Sequence, residues 1–528
     1  MENIHINQLG YREDDKKTFI INDECLSFKV IEKITGQIAF EGKTSYGVKD
    51  KATEEIVAYG DFTKLNTPGE YYIITTKGNH SYNFNINNNV YSEVKEGLLK
   101  ALYYQRCGEE LSEKKAGLWC HPICHRSEGL LYENLSTKID VSGGWHDAGD
   151  YGRYVVAGAK AVADLLLTYD FFPGAFKAEE DSADILKEAK YELDWLLKMQ
   201  DISTGGVYHK VTTQFFPGMI MPEDDLEPLI IYPISSTATG DFAAIMALAS
   251  RIYNDIDPEF SKSCLQASEN AWKWLVNNSE PVLFKNPPNM NSGEYGDDID
   301  LDERYWAAAE LYRTTGNVEY HEYFRNAFKN LLDTNSLGWA DVGGYGSIAY
   351  LFTENSKVDL EIYKLIKARF IEQAEVFVKI SEESGYKVTL LPNQYIWGSN
   401  MNILNNAMHL IIANMINPNQ SYIEVVFSQW NYMFGLNSLN QSFLTGFGSN
   451  PIMHPHHRPS EGDKIIAPVP GMISGGPCSS LLDDAAVTDC KGLPPAKCFT
   501  DNVESYSTNE ITIYWNSPGI FVAGFLNK

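Results

Sequence analysis

No apolar run of about 18 residues occurs in this 528-residue sequence, so nothing in it reads as a membrane-spanning helix. Cysteine is sparse. The 8 residues sit at positions 25, 107, 120, 124, 264, 478, 490 and 498, too dispersed for a small disulfide scaffold. Basic charge is in deficit: Lys and Arg number 43 against 70 Asp and Glu, a net charge of −27. A chain this acidic repels phosphate backbones and anionic lipid, so neither nucleic acid nor a membrane surface is an expected partner. The opening segment, MENIHINQLGY, has no basic n-region and no apolar h-region. The expected location of the chain as given is therefore cytoplasmic, with secretion after removal of a signal as the alternative. No strict internal repeat is found, and a monomer is expected.

Hydrophobic residues make up 44% and charged residues 21%, the proportions of an ordinary globular chain. The length exceeds the roughly 250–300 residues that one core supports, which predicts a large domain with a smaller companion. Residues 1–88 read as β. Short segments rich in Ile, Val, Tyr and Phe, such as Leu26–Ile34 and Glu70–Thr76, alternate with turn signals at Thr35-Gly36, Pro68-Gly69 and Lys77-Gly78-Asn79. A small β-sandwich fits this pattern. Residues 89–528 read as all-α, with apolar stripes of period 3.6 over Ser92–Leu111, Val155–Tyr169, Ala183–Met199, Gly240–Tyr253 and further segments up to Ser421–Met433. No strands are expected between these helices. Helical hairpins closed into a ring would give an (α/α) barrel with its function on the connecting loops, but helix count alone does not establish closure.

Three constellations carry candidate chemistry. In Gly143-Gly144-Trp145-His146-Asp147-Ala148-Gly149-Asp150-Tyr151, two carboxylates lie three residues apart in a glycine-containing turn. They can share a water, as a general base and a neighbour that orients its water must. A calcium loop or an N-cap cluster is the alternative. In Asn450-Pro-Ile-Met-His454-Pro455-His456-His457-Arg458, three His and an Arg crowd a Pro-bounded loop. The Arg opposes a cation, so hydrogen bonding to a polyhydroxyl substrate fits better than a metal. A solvated basic loop is the bland alternative. In the segment Phe499–Ser517, Glu510 precedes an apolar stretch. A partly buried carboxyl there can keep the proton a leaving group needs. A carboxylate stabilising a helix N-terminus is the alternative. The 12% aromatic content, with 31 Tyr and 10 Trp, suits a sugar-binding cleft as well as a core.

These residues together resemble glycoside hydrolase family 9, the inverting β-glucanases, and specifically its members with an N-terminal immunoglobulin-like domain. The second and third constellations fit the family's two signatures, Asp147-Ala-Gly-Asp150 fits its carboxylate loop, and His5-Ile-Asn-Gln-Leu-Gly-Tyr11 and Tyr395-Ile-Trp-Gly-Ser-Asn400 are similar to further family segments. The resemblance spans residues 3–525. It implies an (α/α)6 barrel behind an immunoglobulin-like β-sandwich and hydrolysis of β-1,4-linked glucan or cello-oligosaccharide with inversion. It implies Asp150 as general base, Asp147 as the carboxylate that helps hold the attacking water, and Glu510 as general acid. It also implies that His456, Arg458, Tyr506 and Trp397 bind substrate. Inversion needs the acid and base about 6.5–9.5 Å apart with a water between them. Only a closed ring would bring residues so distant in sequence face to face.

Metals follow the same logic. Cys107, Cys124, His125 and His146 form an irregularly spaced set. Read alone, it is equally two buried thiols with unrelated histidines, and Cys120 and His121 compete as ligands. The resemblance implies a structural zinc on that quartet, closed and tetrahedral, pinning the loop before Asp147. The acidic segment Ser292–Glu303 suits a hard cation. The resemblance implies calcium on Asp302, Glu303 and Asp341, against the alternative of an acidic helix N-terminus. Cys490 and Cys498 bracket a Pro-containing loop and are a candidate pair. Two other classes of function compete with this reading. A zinc-dependent hydrolase needs an open metal position, which a four-ligand set lacks. A non-catalytic glucan-binding protein would normally have lost one of Asp147, Asp150 or Glu510. Endo-acting cleavage is favoured over an exo-acting cellodextrinase or a glucosaminidase.

Overall fold

Period-2 burial organises the first 90 residues. In the strand Gly69–Thr75, Tyr71, Ile73 and Thr75 are buried while Tyr72 and Ile74 are partly exposed. The computed structural model describes residues 4–23, 26–176, 184–354 and 356–528, so Cys25 and Ala183 lie outside the described residues. Among the described residues of this region, nine strands form two sheets. One contains β1 (Ile4–His5), β3 (Thr18–Ile21), β7 (Ile56–Asp61) and β6 (Val48–Lys49), in that order. The other contains β2 (Gly10–Tyr11), β9 (Phe84–Ile86), β8 (Gly69–Thr75), β4 (Ser27–Glu32) and β5 (Ile38–Lys43). Phe19, Phe28, Phe62, Tyr71 and Phe84 fill the core shared by the two sheets. The turns at Gly36 and Gly78 use left-handed backbone, with φ of 69° and 82°, which glycine adopts without steric cost.

The chain divides into two compact units. The first comprises Met1–Ala101 and Ala374–Asn527, so the sandwich shares a unit with the C-terminal helices. Within it, the backbone N–H groups of Ser449 and Asn450 donate to Gln8 Oε1 at 2.9 and 2.8 Å. Asp50 accepts from the Gly385 N–H at 2.8 Å, and Lys497 pairs with Glu55 at 2.6 Å. Helix Ser399–Ile416 packs against Gln420–Met433 and Ile513–Leu526.

The second unit is Leu102–Gln373 with Lys528. Helix Ser236–Tyr253 packs against Val155–Phe171, Pro258–Asn277 and Leu301–Thr315, and the last of these packs against Val318–Asn330 and Gly343–Leu351. Along the chain, among the described residues, helices buried around most of their circumference alternate with amphipathic ones. Val155–Phe171, Ser236–Tyr253, Leu301–Thr315, Gly343–Leu351, Ser399–Ile416 and Ile513–Leu526 belong to the buried class. An apolar helix without a polar face is stable only when enclosed by others.

Three sequence expectations change. Helix Ser92–Tyr104 ends seven residues before the expected Leu111, because Arg106 pairs as a β-bridge with Trp145. Helices Gly343–Leu351 and Ile513–Leu526 were not read from sequence. Buried on all sides, they show no polar-apolar contrast, and their Gly and Pro residues resemble helix breakers. The helical region also contains strands, contrary to expectation. A five-stranded sheet runs β11 (Asn134–Ile139), β10 (Gly129–Leu131), β14 (Ile230–Ile231), β13 (Lys210–Thr212), β12 (Arg153–Tyr154). Segments of two to six residues are too short to show a period of two.

Candidate active site and metal centre

Asp147 and Asp150 are 1% and 7% exposed. They sit in a tight turn closed by the Asp147 N–H on the Gly152 carbonyl at 2.9 Å and the Gly152 N–H on Asp150 Oδ2 at 2.9 Å. Two tyrosines reach the pair. Tyr295 OH donates to Asp147 Oδ2 at 2.5 Å, and Tyr154 OH donates to Asp150 Oδ2 at 3.3 Å. The other oxygen of Asp147 is buried with no protein partner. Burial, and then repulsion from Asp150, push the Asp147 carboxyl well above the ordinary carboxylate range, against the hydrogen bond from Tyr295.

The segment before Asp147 is fastened to helix Ile185–Lys198. Glu192 accepts from the Trp145 N–H at 2.6 Å, and Glu188 accepts from Trp145 Nε1 at 2.8 Å. Arg106 forks onto both oxygens of Glu188 at 3.0 and 2.8 Å. Gly144 has φ 76°, and a Cβ there would lie 2.7 Å from the Trp195 ring, so glycine is required on both counts. Burial is the main cause that raises the Glu192 carboxyl to about 8.

Glu510, His456, Tyr506 and Trp397 come together within the other unit, which also contains Arg458. Glu510 follows the short helix Tyr506–Asn509, is half-buried, and forms a parallel β-bridge with His456. Asp501 stitches the histidine loop to this segment: it accepts from the N–H groups of Met453 and His454 and from Asn509 Nδ2, each at 2.8 Å. His456 Nδ1 contacts the Val503 carbonyl at 2.5 Å. The rings of Trp397 and Tyr506 lie 5.3 Å apart, and Trp397 is 43% exposed, a surface suited to the face of a sugar. Arg458 is buried at the start of helix Arg458–Gly462.

Cys107, Cys124, His125 and His146 are buried and converge, each offering one donor atom within 4.8 Å of the others. His125 Nδ1 lies 3.2 Å from His146 Nε2, while His125 Nε2 lies 3.4 Å from Asp225 Oδ2. A tetrahedral ion with bonds of about 2.0–2.3 Å needs donors roughly 3.3–3.8 Å apart, so the quartet fits a closed site with small adjustments. The carboxylate on the outer nitrogen fixes the tautomer that presents Nδ1. Cys120 is exposed and outside the cluster, and His121 turns its Nδ1 to the Pro122 carbonyl at 2.7 Å, so neither competitor joins it. Cys490 and Cys498 are free thiols, and Cys498 Sγ faces the Leu493 and Pro494 carbonyls at 3.5 and 3.4 Å instead.

Asp302 and Glu303 are buried at the start of their helix, and Asp241 faces them from helix Ser236–Tyr253. Asp302 Oδ2 accepts from the Val342 N–H at 2.9 Å. Both oxygens of Asp241, and one each of Asp297, Asp302 and Glu303, are buried without a protein partner. Burial first, then mutual repulsion, raises Asp241 and Glu303 well above the carboxylate range, while burial is the main cause that raises Asp302 to about 6. Asp341 is exposed and adds its charge beside Asp297. Asp302, Glu303 and Asp341 do not converge as the quartet does.

Residues 91–523 match the pattern of glycosyl hydrolase family 9, and residues 1–81 match the cellulase N-terminal ig-like domain. The chain belongs to glycosyl hydrolase family 9. This family 9 chain is 38% identical to a cellodextrinase of Butyrivibrio fibrisolvens over 99% of each sequence. It superposes on a thermostable endoglucanase from Alicyclobacillus acidocaldarius with a TM-score of 0.94, 38% identity and complete coverage of both chains. A zinc-binding triple mutant of a family 9 endoglucanase gives a TM-score of 0.93 at 31% identity, over 98% of this chain and 99% of that one. The fold class is therefore an (α/α)6 barrel preceded by an immunoglobulin-like β-sandwich, and the chain is a glycoside hydrolase of the cellulase type that acts on β-1,4-glucan.

Sequence reasoning missed several residues of this hydrolase. Tyr295, Glu188, Glu192, Asp225 and Asp241 contact the candidate segments across tens to more than a hundred positions, and no local motif marks them, while Tyr154 lies four positions from Asp150. The one available signal was the position of Tyr295 and Asp297 inside the acidic segment 292–303.

Proposed function

We propose that this family 9 hydrolase cleaves β-1,4-glucosidic bonds of soluble cellulose-type glucans by inversion, with Asp150 as general base, Asp147 holding the attacking water, and Glu510 as general acid. One observation carries the reading: Asp147 has one oxygen fixed by Tyr295 and the other buried and unpartnered, three residues from Asp150. That arrangement suits a carboxylate pair that binds a water and passes its proton to one member. His456, Arg458, Tyr506 and Trp397 bind the sugar chain in this reading, and the sandwich ends near residue 88. Water attacks the anomeric carbon from the face opposite the departing oxygen while Glu510 protonates that oxygen. Proton magnetic resonance in the first minutes of hydrolysis tests this. The α-anomer should appear first, and a β-anomer appearing first would refute it.

Endo cleavage is the favoured mode. The likeness to a cellodextrinase supports exo attack on short cello-oligosaccharides as the second reading. Zinc on Cys107, Cys124, His125 and His146 would fill all four positions of a tetrahedral ion and leave none for water, so it supplies rigidity to the loop and no Lewis acid. The buried, unpartnered oxygens of Asp241, Asp297, Asp302 and Glu303 are hard donors of the kind calcium takes, and a cation among them would cancel their repulsion.

A further inference from the structure

Lys210 is fully buried on β13, directly opposite Tyr154 of β12 in the antiparallel register. Its ammonium has three hydrogens and three acceptors: the Gly293 carbonyl at 2.5 Å, Asn286 Oδ1 at 2.7 Å and Ser292 Oγ at 3.2 Å. All three acceptors belong to one loop, residues 286–293. That loop is also tied to itself, since Asn286 Nδ2 donates to the Ser292 carbonyl at 2.8 Å. The rings of Tyr232, Phe284 and Tyr154 surround the ammonium at 4.9, 5.3 and 5.6 Å.

Gly293 is gripped from both sides. Its carbonyl accepts from Lys210, and its N–H donates to Tyr154 OH at 3.0 Å. The same Tyr154 hydroxyl donates to Asp150. Two residues beyond Gly293, Tyr295 donates to Asp147. Tyr295 has φ 48°, a left-handed conformation that a tyrosine adopts only when its surroundings impose it. The Tyr154 and Tyr295 rings meet at 4.5 Å. Both hydroxyls that orient the carboxylate pair therefore depend on where Gly293 is held, and Lys210 holds it.

Stability does not explain a buried ammonium here. Taking an ammonium out of water is costly, and hydrogen bonds to three neutral acceptors offset that cost and add little beyond it. A flexible four-carbon stem carrying three donors does, however, suit the fixing of one loop from a sheet strand. Lys210 touches neither carboxylate, so it is not a catalytic residue.

We infer that Lys210 is a positioning residue: by fastening the loop 286–293 through Gly293, it sets Tyr154 on Asp150 and Tyr295 on Asp147. The inference rests on the proposed role of that carboxylate pair. Misplacing catalytic groups by about 1 Å can cost on the order of 100-fold in rate.

The test is a double-mutant cycle on the full chain, with kcat and KM measured on cellohexaose for wild type, Lys210→Met, Tyr295→Phe and the double variant. Lys210→Met should lower kcat about 10- to 100-fold with KM within about threefold of wild type, and the three acceptors left without their donor should lower the melting temperature as well. In the Tyr295→Phe background the same change should cost at least about threefold less than in wild type, because one of the two groups through which Lys210 acts is already lost and only Tyr154 remains. Equal losses in both backgrounds, or a Lys210→Met enzyme within about twofold of wild type, would overturn the inference. If Lys210→Met does not fold, Asn286→Ala removes one of the three acceptors and should lower kcat about 3- to 10-fold at unchanged KM. An unchanged kcat there is equally fatal. A wild type inactive on cellohexaose overturns the hydrolase reading and this inference with it, whereas an active wild type with an equally active Lys210→Met overturns the inference alone.

Discussion

Asp147 and Asp150 are almost fully buried and each accepts from a tyrosine hydroxyl, whereas Glu510 is half-buried at the end of a segment that Asp483 and Asp501 anchor through its serines, its asparagine and the neighbouring histidine loop. The contrast matches the roles proposed for them. A base that must aim one water works best in a rigid, dry turn where its partners cannot rotate away. An acid must exchange protons with solvent between turnovers, so partial exposure suits it. The first region spends buried polar groups on geometry. The second places a carboxyl beside aromatic surface that a sugar can cover.

The sharpest break in that comparison is chemical. Asp150→Asn and Glu510→Gln should each lower kcat on cellohexaose by about 10²–10⁴-fold while leaving the fold intact. An aryl cellobioside with a very good leaving group should restore much of the Glu510→Gln rate and little of the Asp150→Asn rate. Equal rescue of both variants would erase the distinction between base side and acid side.

Metal removal probes the same asymmetry more mildly. Elemental analysis should find about one zinc per chain, and stripping it should lower the melting temperature by roughly 5–10 °C. The loss of activity should follow the Asp147 loop, which adjoins His146, and should leave the intrinsic fluorescence of the Trp397–Tyr506 region unchanged. Protein expressed with ample metal yet free of zinc would rule the site out.

A smaller effect belongs to the carboxylate cluster. Calcium should raise the melting temperature of chelator-treated protein at pH 7 by a few degrees. Asp241→Asn should raise the melting temperature of the metal-free form, by removing one buried like charge, and should blunt the gain on adding calcium. If calcium stabilises the variant as much as the wild type, Asp241 is not part of the site.

The smallest expected effect is a pH dependence at Glu192. Its folded-state carboxyl is raised to about 8 from an ordinary value of 4.5. A raised carboxyl contributes stability that is complete below about pH 4.5 and is lost as pH rises through about 8, on the order of a few kcal/mol. Thermal melts of wild type and Glu192→Gln between pH 5 and 9 should therefore diverge, the variant showing the flatter profile. Parallel profiles would show that Glu192 does not titrate in this range.

The residues of the candidate site were legible wherever the chemistry is local. Asp147 and Asp150 share one turn because they lie three positions apart, and that spacing, with the glycines before it, is written in nine consecutive positions. The strands of the sandwich and the amphipathic helices were legible for the same reason, since a half-buried element prints its period on the sequence. The wholly buried helices Gly343–Leu351 and Ile513–Leu526 were not, because an element enclosed on all sides has no polar face to mark its period. The metal quartet stood between these cases. Its residue types were visible, but Cys120 and His121 were excluded only by where the folded loop points them. Tyr295, Lys210, Asp225 and Asp241 were decided by tertiary structure alone. Their partners lie far along the chain, and a hydrogen bond across 148 positions, such as that from Tyr295 to Asp147, exists only once packing has brought both ends together. Sequence by itself determined which carboxylates, thiols and imidazoles were available for chemistry. Tertiary packing decided which neighbours hold them, because burial and long-range contact are properties of the folded chain.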